Sequence, residues 1–240
     1  MERNRLIYTL IILLLFFLTS CVSRLDRPTI NPTVTLPPEL MDRSLLTGEP
    51  CPAPCWYRLE LGKTNKEEAL ARVKTLSFVD ASHISERESQ YSSGDPLERA
   101  PSVIVSLPCK QPRGDICAEL EFVDNILMAI YPRPNYPVNF GDMVEHLGPP
   151  DYFRMGSVYP DRPQQCLAVL IWKERGVWAS YLSNPNEEGN QVICGVNRDR
   201  PAIRPSFPVE QIIYALPEDA IFVQVPIPGS DHPWNGFSDQ

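Results

Sequence analysis

The chain has little glycine, little histidine and no excess of positive charge. Its 240 residues include 12 glycines and three histidines, and its formal charge is −8. A chain this acidic lacks the basic footprint of a nucleic-acid binder. No Gly-x-Ser-x-Gly elbow occurs, so the nucleophile turn of the α/β-hydrolases is absent. Gly62-Lys63-Thr64 ends like a phosphate-binding loop, but Tyr57 stands where that loop needs its first glycine. No histidine pair accompanies the cysteines, so no metal centre or other cofactor is expected. The 26 prolines are about twice the usual share and exclude long helices and coiled coils. At 43% hydrophobic, the sequence is nevertheless apolar enough to fold.

The apolar run at the N-terminus is also short. Arg3 and Arg5 precede Leu6–Leu18, interrupted only by Thr9. As a helix this run spans roughly 20 Å, less than the ~30 Å hydrocarbon core. A basic start, a short apolar stretch and small residues after it read as a secretory signal. Leu18-Thr19-Ser20-Cys21 resembles the lipobox of bacterial lipoproteins. The resemblance implies cleavage before Cys21, acylation of its thiol and a lipid anchor in the membrane, on the extracytoplasmic side of a bacterial envelope. Two or three acyl chains anchor stably where one does not. An uncleaved membrane anchor or plain secretion is the alternative. Without Glu2, Arg3 and Arg5 the mature chain carries 20 basic and 29 acidic residues, a charge of −9 that disfavours adhesion to anionic lipid.

Cysteine use agrees with export. Beyond Cys21 there are six: Cys51, Cys55, Cys109, Cys117, Cys166 and Cys194. An even number in an exported chain favours disulfides. Pairing sequence neighbours gives Cys51–Cys55, Cys109–Cys117 and Cys166–Cys194, one of several connectivities the sequence allows. A redox role is the competing reading for Cys51-x-x-x-Cys55, whose spacing is one residue longer than the CxxC of dithiol oxidoreductases.

Five segments follow along the chain: a signal peptide (1–20), a lipidated cysteine with a proline-rich tether (21–50), two α+β units (51–134 and 135–228) and a loose tail (229–240). In the first unit Thr64-Asn65-Lys66-Glu67 reads as a capping box opening a helix with Ala69, Leu70, Val73 and Leu76 on one face. Phe78–Ile84 reads as a strand and Gln90–Pro101 as a loop. Ser102–Leu107, Ile116–Val123 and Ile126–Tyr131 read as strands, the last two joined by the turn Asp124-Asn125. In the second unit Phe140, Met143, Val144 and Leu147 recur at helical spacing, and Gly148-Pro149-Pro150 stops the helix. Cys166–Lys173 and Val177–Ser183 form a hairpin, and Gln191–Val196 is a further strand. Pro208 opens a second helix carrying Val209, Ile212, Ile213 and Leu216, and Ala220–Val225 is a closing strand. The expected fold is α+β: short helices packed on antiparallel sheet, as two tandem helix-plus-hairpin repeats stapled by disulfides.

Two stretches carry the repeat. Leu59-Glu60-Leu61-Gly62-Lys63 and Val138-Asn139-Phe140-Gly141-Asp142 match as apolar-x-apolar-Gly-polar, 79 residues apart. Leu61-Gly62-Lys63-Thr64 and Leu147-Gly148-Pro149-Pro150 resemble the start and end of the helix in small outer-membrane-assembly lipoproteins of the SmpA/OmlA type. A tandem pair of such units also resembles the β-lactamase-inhibitory protein fold.

Candidate chemistry is sparse. His83 and His146 read as solvated or partly packed side chains, and Glu119 and Glu121 as a solvated sheet face rather than a carboxylate pair for sugar hydrolysis. Trp56, Tyr57, Tyr131 and Tyr136, interleaved with prolines, make a candidate binding surface, with ring packing on the sheet as the alternative. The expected function is therefore a non-enzymatic binding or scaffold role that presents a sheet to an envelope protein partner or an envelope polymer, with the ligand left open. A hydrolase with an unrecognised site and an inhibitor of a secreted enzyme are the competing readings.

Overall fold

A computed structural model describes residues 36–92, 99–111, 115–157, 166–182, 203–217 and 232–237, all within one unit, Leu36–Gln240. Its centre is a nine-stranded sheet. The strands are β1 (Ser85–Ser92), β2 (Arg99–Pro108), β3 (Ile116–Val123), β4 (Ile126–Pro132), β5 (Tyr152–Ser157), β6 (Cys166–Trp172), β7 (Val177–Leu182), β8 (Gln211–Ala215) and β9 (His232–Pro233). They lie in the order β1-β2-β3-β4-β8-β7-β6-β5-β9, and every neighbouring pair is antiparallel. Two eight-residue helices, α1 (Lys66–Val73) and α2 (Phe140–Leu147), pack on one face. The protein is therefore mainly β rather than evenly α+β.

Each helix precedes a four-stranded meander, β1–β4 or β5–β8. The meanders meet at their last strands, where Ala129 faces Ala215 and Ile130 faces Tyr214. Both helices begin on an asparagine whose side chain accepts the N–H three residues on: Asn65 from Glu68 and Asn139 from Asp142. Asp142 completes a capping box by accepting the Asn139 N–H. Thr64, expected as the first cap, instead accepts the Glu60 N–H at 2.8 Å. Asn65 bridges Ile126 at the head of β4, and Asn139 bridges Pro208 ahead of β8. Two flanking hydrogen bonds correspond. Leu127 N–H donates to Thr64 C=O as Val209 N–H donates to Val138 C=O, and Lys66 N–H to Asn125 C=O as Phe140 N–H to Phe207 C=O. Asn65 and Asn139 thus hold matching positions, whereas Gly62 and Gly141, paired in the sequence match, do not: Gly62 lies outside α1 and Gly141 inside α2.

The core lies between helices and sheet. Ala69 and Val73 from α1 and Phe140, Met143 and Leu147 from α2 meet Leu120, Phe122, Ile130, Leu170 and Tyr214 there. Each such large apolar side chain contributes roughly 1.5–3 kcal/mol by leaving water.

Several elements differ from expectation. The segment after Pro208 is strand β8, not a helix. It is a central strand with Ile212, Tyr214 and Ala215 buried, and an apolar run buried on both faces mimics helical spacing. Within the expected 90–101 loop, Gln90–Ser92 belongs to β1 and Arg99–Pro101 to β2, while 93–98 lies outside the described residues. β1 is an edge strand, polar on both faces, so it shows no hydrophobic alternation. Only Val79 of Phe78–Ile84 bridges, to Cys109, and Ala81–His83 is a 3-10 turn. β5 was not expected at all. Residues 36–50 are not tether: Asp42, Ser44 and Leu45 are buried and Leu45 belongs to the core. In the expected tail, β9 pairs with Tyr152 and Phe153 of β5, and Trp234 packs against the core. Gln191–Val196 and Ala220–Val225 lie outside the described residues.

Candidate functional site

Alternation turns one set of side chains on β1–β4 away from α1. Register places Ser106, Glu119 and Tyr131 in one row across this face and Arg87, Ile104, Glu121 and Ala129 in the next. Glu121 is only 4% exposed. Burying a carboxylate is costly unless donors replace its water. Here Ser102 Oγ and Tyr131 OH each donate to it at 2.7 Å. Burial first, and then the Glu121 charge, push the Tyr131 phenol up. Glu119 accepts from Arg133 at 2.8 Å, Ser106 Oγ at 3.2 Å and Arg87 at 3.4 Å. The two carboxylates brace strands together with both groups committed to donors. That is a different arrangement from a freely solvated face.

A second cluster surrounds Asp42, which is 1% exposed. Its carboxylate accepts from Ser44 N–H at 3.1 Å, Ser44 Oγ at 2.7 Å and the Trp56 indole N–H at 2.8 Å. Asn135 closes the same junction, accepting the Asp42 N–H and donating to Leu40 and Gln111 carbonyls. Burial, followed by the Asp42 charge, raises the phenols of Tyr57, Tyr136 and Tyr214. The Tyr136 hydroxyl is buried without a hydrogen-bond partner among the described residues. The cluster fastens residues 38–47 onto the body.

The four aromatics singled out in the sequence therefore do not share one surface. Trp56 is fully buried, with Tyr57 edge-on to it at 5.1 Å between ring centroids. Tyr57 and Tyr136 are half-buried beside Asp42, while Tyr131 belongs to the outward face of β1–β4. Among the described residues no Phe, Trp or Tyr side chain is exposed. The chain matches no family model, no curated protein and no solved structure.

Disulfides join Cys51 to Cys55 and Cys109 to Cys117. The third expected pair, Cys166–Cys194, needs Cys194, which lies outside the described residues, as does Cys21. Cys109 and Cys117 are buried, whereas Cys51 and Cys55 are half-buried and line a polar cavity of about 420 Å³ with Arg58, Glu60, Lys63 and Arg72. Another cavity, of about 400 Å³, opens between Lys66, Glu88, Gln90 and the Asp124-Asn125 turn. His83 pairs with Asp80 at 2.8 Å with its side chain 61% exposed. His146 is exposed on α2. Neither histidine lines either cavity. Among the described residues, no group of three potential ligands could hold a metal, and no helix is long and apolar enough to cross a membrane.

Sequence reasoning missed Asp42, the Ser102–Glu121–Tyr131 brace and Arg58. The paired apolar residues Leu40-Met41 and Leu45-Leu46 around Asp42 were the signal that residues 36–50 are not a plain linker.

Proposed function

We propose that this chain is an extracytoplasmic lipoprotein, anchored through acylated Cys21, whose body binds an envelope protein partner without catalysis. Two disulfides in a chain with a lipobox-like segment support the location. The observation that carries the binding role is the outward face of β1–β4. It presents Arg87 on β1 and Arg133 just past β4, and the eight residues of β1 form the sheet's edge and are mostly exposed. An open edge next to a charged face offers backbone and side-chain partners together. Against an enzyme stand two exposed, separate histidines and two carboxylates already held by donors. The absence of an exposed aromatic row among the described residues weighs against an enzyme inhibitor. We read the halves as tandem copies of one helix-plus-hairpin unit, a reading supported by the matched asparagine caps and bridges.

The test is purification from native membranes in mild detergent, comparing the intact protein with Arg87→Glu. A stoichiometric partner that the variant loses is expected. A protein that comes alone, or a partner the variant keeps, overturns this placement of the surface. Cys21→Ser should release the protein from membranes, and unchanged attachment overturns the anchor.

A further inference from the structure

The two disulfides sit in opposite environments. Cys109 and Cys117 are buried within the core at the end of the β2–β3 pair. Cys51 and Cys55 line the open polar cavity described above. We propose that Cys51–Cys55 is a thiol–disulfide exchange site for a low-molecular-weight thiol, while Cys109–Cys117 is a closed structural link.

Three observations converge on it. Access comes first: an attacking thiolate must reach a sulfur, and of the two described pairs Cys51–Cys55 lines an open polar depression that admits a small thiol while Cys109–Cys117 is buried. The second is a built acceptor for charge. The Arg58 backbone N–H donates to Cys51 Sγ at 3.1 Å, which favours negative charge on that sulfur. Lys63 and Arg72 are neutralised by Glu60 and Glu68, while the Arg58 guanidinium, on the same cavity, has no carboxylate partner among the described residues. The third is the backbone that aims the donor. Tyr57 and Arg58 both adopt left-handed φ, 49° and 62°, a conformation unfavourable for residues with a Cβ. Fully buried Trp56 and Leu59 hold this turn through their mutual backbone hydrogen bonds.

The geometry assigns the direction of exchange. An incoming thiolate attacks Cys55 Sγ and forms a mixed disulfide. The Cys51–Cys55 bond breaks, and its electron pair leaves on Cys51 Sγ, beside the Arg58 N–H. A second thiolate attacks the small-molecule sulfur of the mixed disulfide and expels Cys55 thiolate. Two thiols are oxidised to their disulfide, the protein disulfide is reduced by two electrons, and the two protons end on Cys51 and Cys55.

The experiment treats the folded, full-length protein at neutral pH with graded 2-mercaptoethanol, quenches with acid, alkylates and reads each cysteine by peptide mass spectrometry. Cys51 and Cys55 should be reduced at least about tenfold faster than Cys109 and Cys117, with the tryptophan fluorescence of the folded protein retained. Equal rates, or reduction only together with loss of the folded signal, overturn the proposal. Two single variants test the direction. The free Cys51 of Cys55→Ser should react with iodoacetamide at least about fivefold faster than the free Cys55 of Cys51→Ser. Equal or reversed rates overturn the assignment of Cys51 as the leaving sulfur.

Discussion

The two halves of the sheet share an element order yet present opposite chemistry on the face turned away from the helices. On β1–β4 that face carries Arg87, Ser102, Ser106, Glu119, Glu121 and Tyr131, cross-linked by hydrogen bonds. On β5–β8 it carries Leu167, Val169, Ile171, Trp178 and Ala215, all buried in a second apolar cluster. Cross-strand pairs make the contrast concrete: Glu119 faces Ser106 and Tyr131, while Ile171 faces Trp178. The helix-facing side is conserved in character between halves, because both must close one core. The opposite side is under no such demand, so it can differ. It is there that the halves can serve different ends, which is why the proposed binding face lies on the first half alone.

The sharpest way to break this comparison is to truncate the apolar face. Trp178→Ala should cost about 3–5 kcal/mol, through lost burial and the cavity left behind. Arg87→Ala, exposed on the polar half, should stay within about 0.5 kcal/mol. Urea unfolding of both variants checks this. If Trp178→Ala costs less than about 1 kcal/mol, the second cluster is not a real core.

The polar half has its own buried element, and it should be nearly as sensitive. Glu121→Ala leaves the Ser102 and Tyr131 hydroxyls without their acceptor. The expected cost is about 2–3 kcal/mol. Glu121→Gln keeps an acceptor oxygen and should cost less. Equal losses from the two variants would mean that the hydroxyl bonds do not hold this face.

How much of this was legible depended on whether an element is one-sided. β3 alternates apolar Ala118, Leu120 and Phe122 with Glu119 and Glu121 and is followed by Asp124-Asn125, whose φ values of 48° and 68° suit a tight hairpin turn, so the sequence points straight to β3 and β4. β1 is polar on both faces and β8 apolar on both, so neither shows the alternation that marks a half-buried strand. The Trp56–Leu59 turn has the same left-handed pair of residues as the β3–β4 turn, but Tyr57 and Arg58 are not turn formers. Packing of Trp56 and Leu59, which no local signal records, imposes it. Of the candidate site, Cys51–Cys55 and Cys109–Cys117 pair as sequence neighbours, one of several connectivities that the sequence allows. Asp42 was not, because its partners Trp56 and Asn135 are distant in sequence.

The matched helix caps make a smaller, paired prediction. Asn65→Ala and Asn139→Ala each remove a side chain that accepts a helix N–H. Each should cost about 1 kcal/mol, Asn139 the more because its capping box is complete. Unfolding midpoints of the two variants give the answer. One silent cap beside one costly cap would undo the structural equivalence of Asn65 and Asn139.

The smallest expected effect separates the halves by pH. Among the described residues, the carboxyls held below their usual range both precede β1. Hydrogen bonds from Ser82 and then His83 lower Asp80, and the hydrogen bond and charge of Lys63 lower Glu60. A carboxyl lowered in the folded state stabilises the fold above its unfolded pKa, and that contribution fades as pH falls through the folded value. Glu60 is exposed and Asp80 partly so, and solvent screens the effect. Unfolding of the intact protein and of Asp80→Asn/Glu60→Gln should differ at neutral pH and converge below about pH 4. Hydrogen exchange should place the acid-sensitive change around α1 and β1 rather than around α2. A difference between the proteins that persists unchanged into acid would show that these carboxylates act through packing instead of charge, and would remove this distinction between the halves.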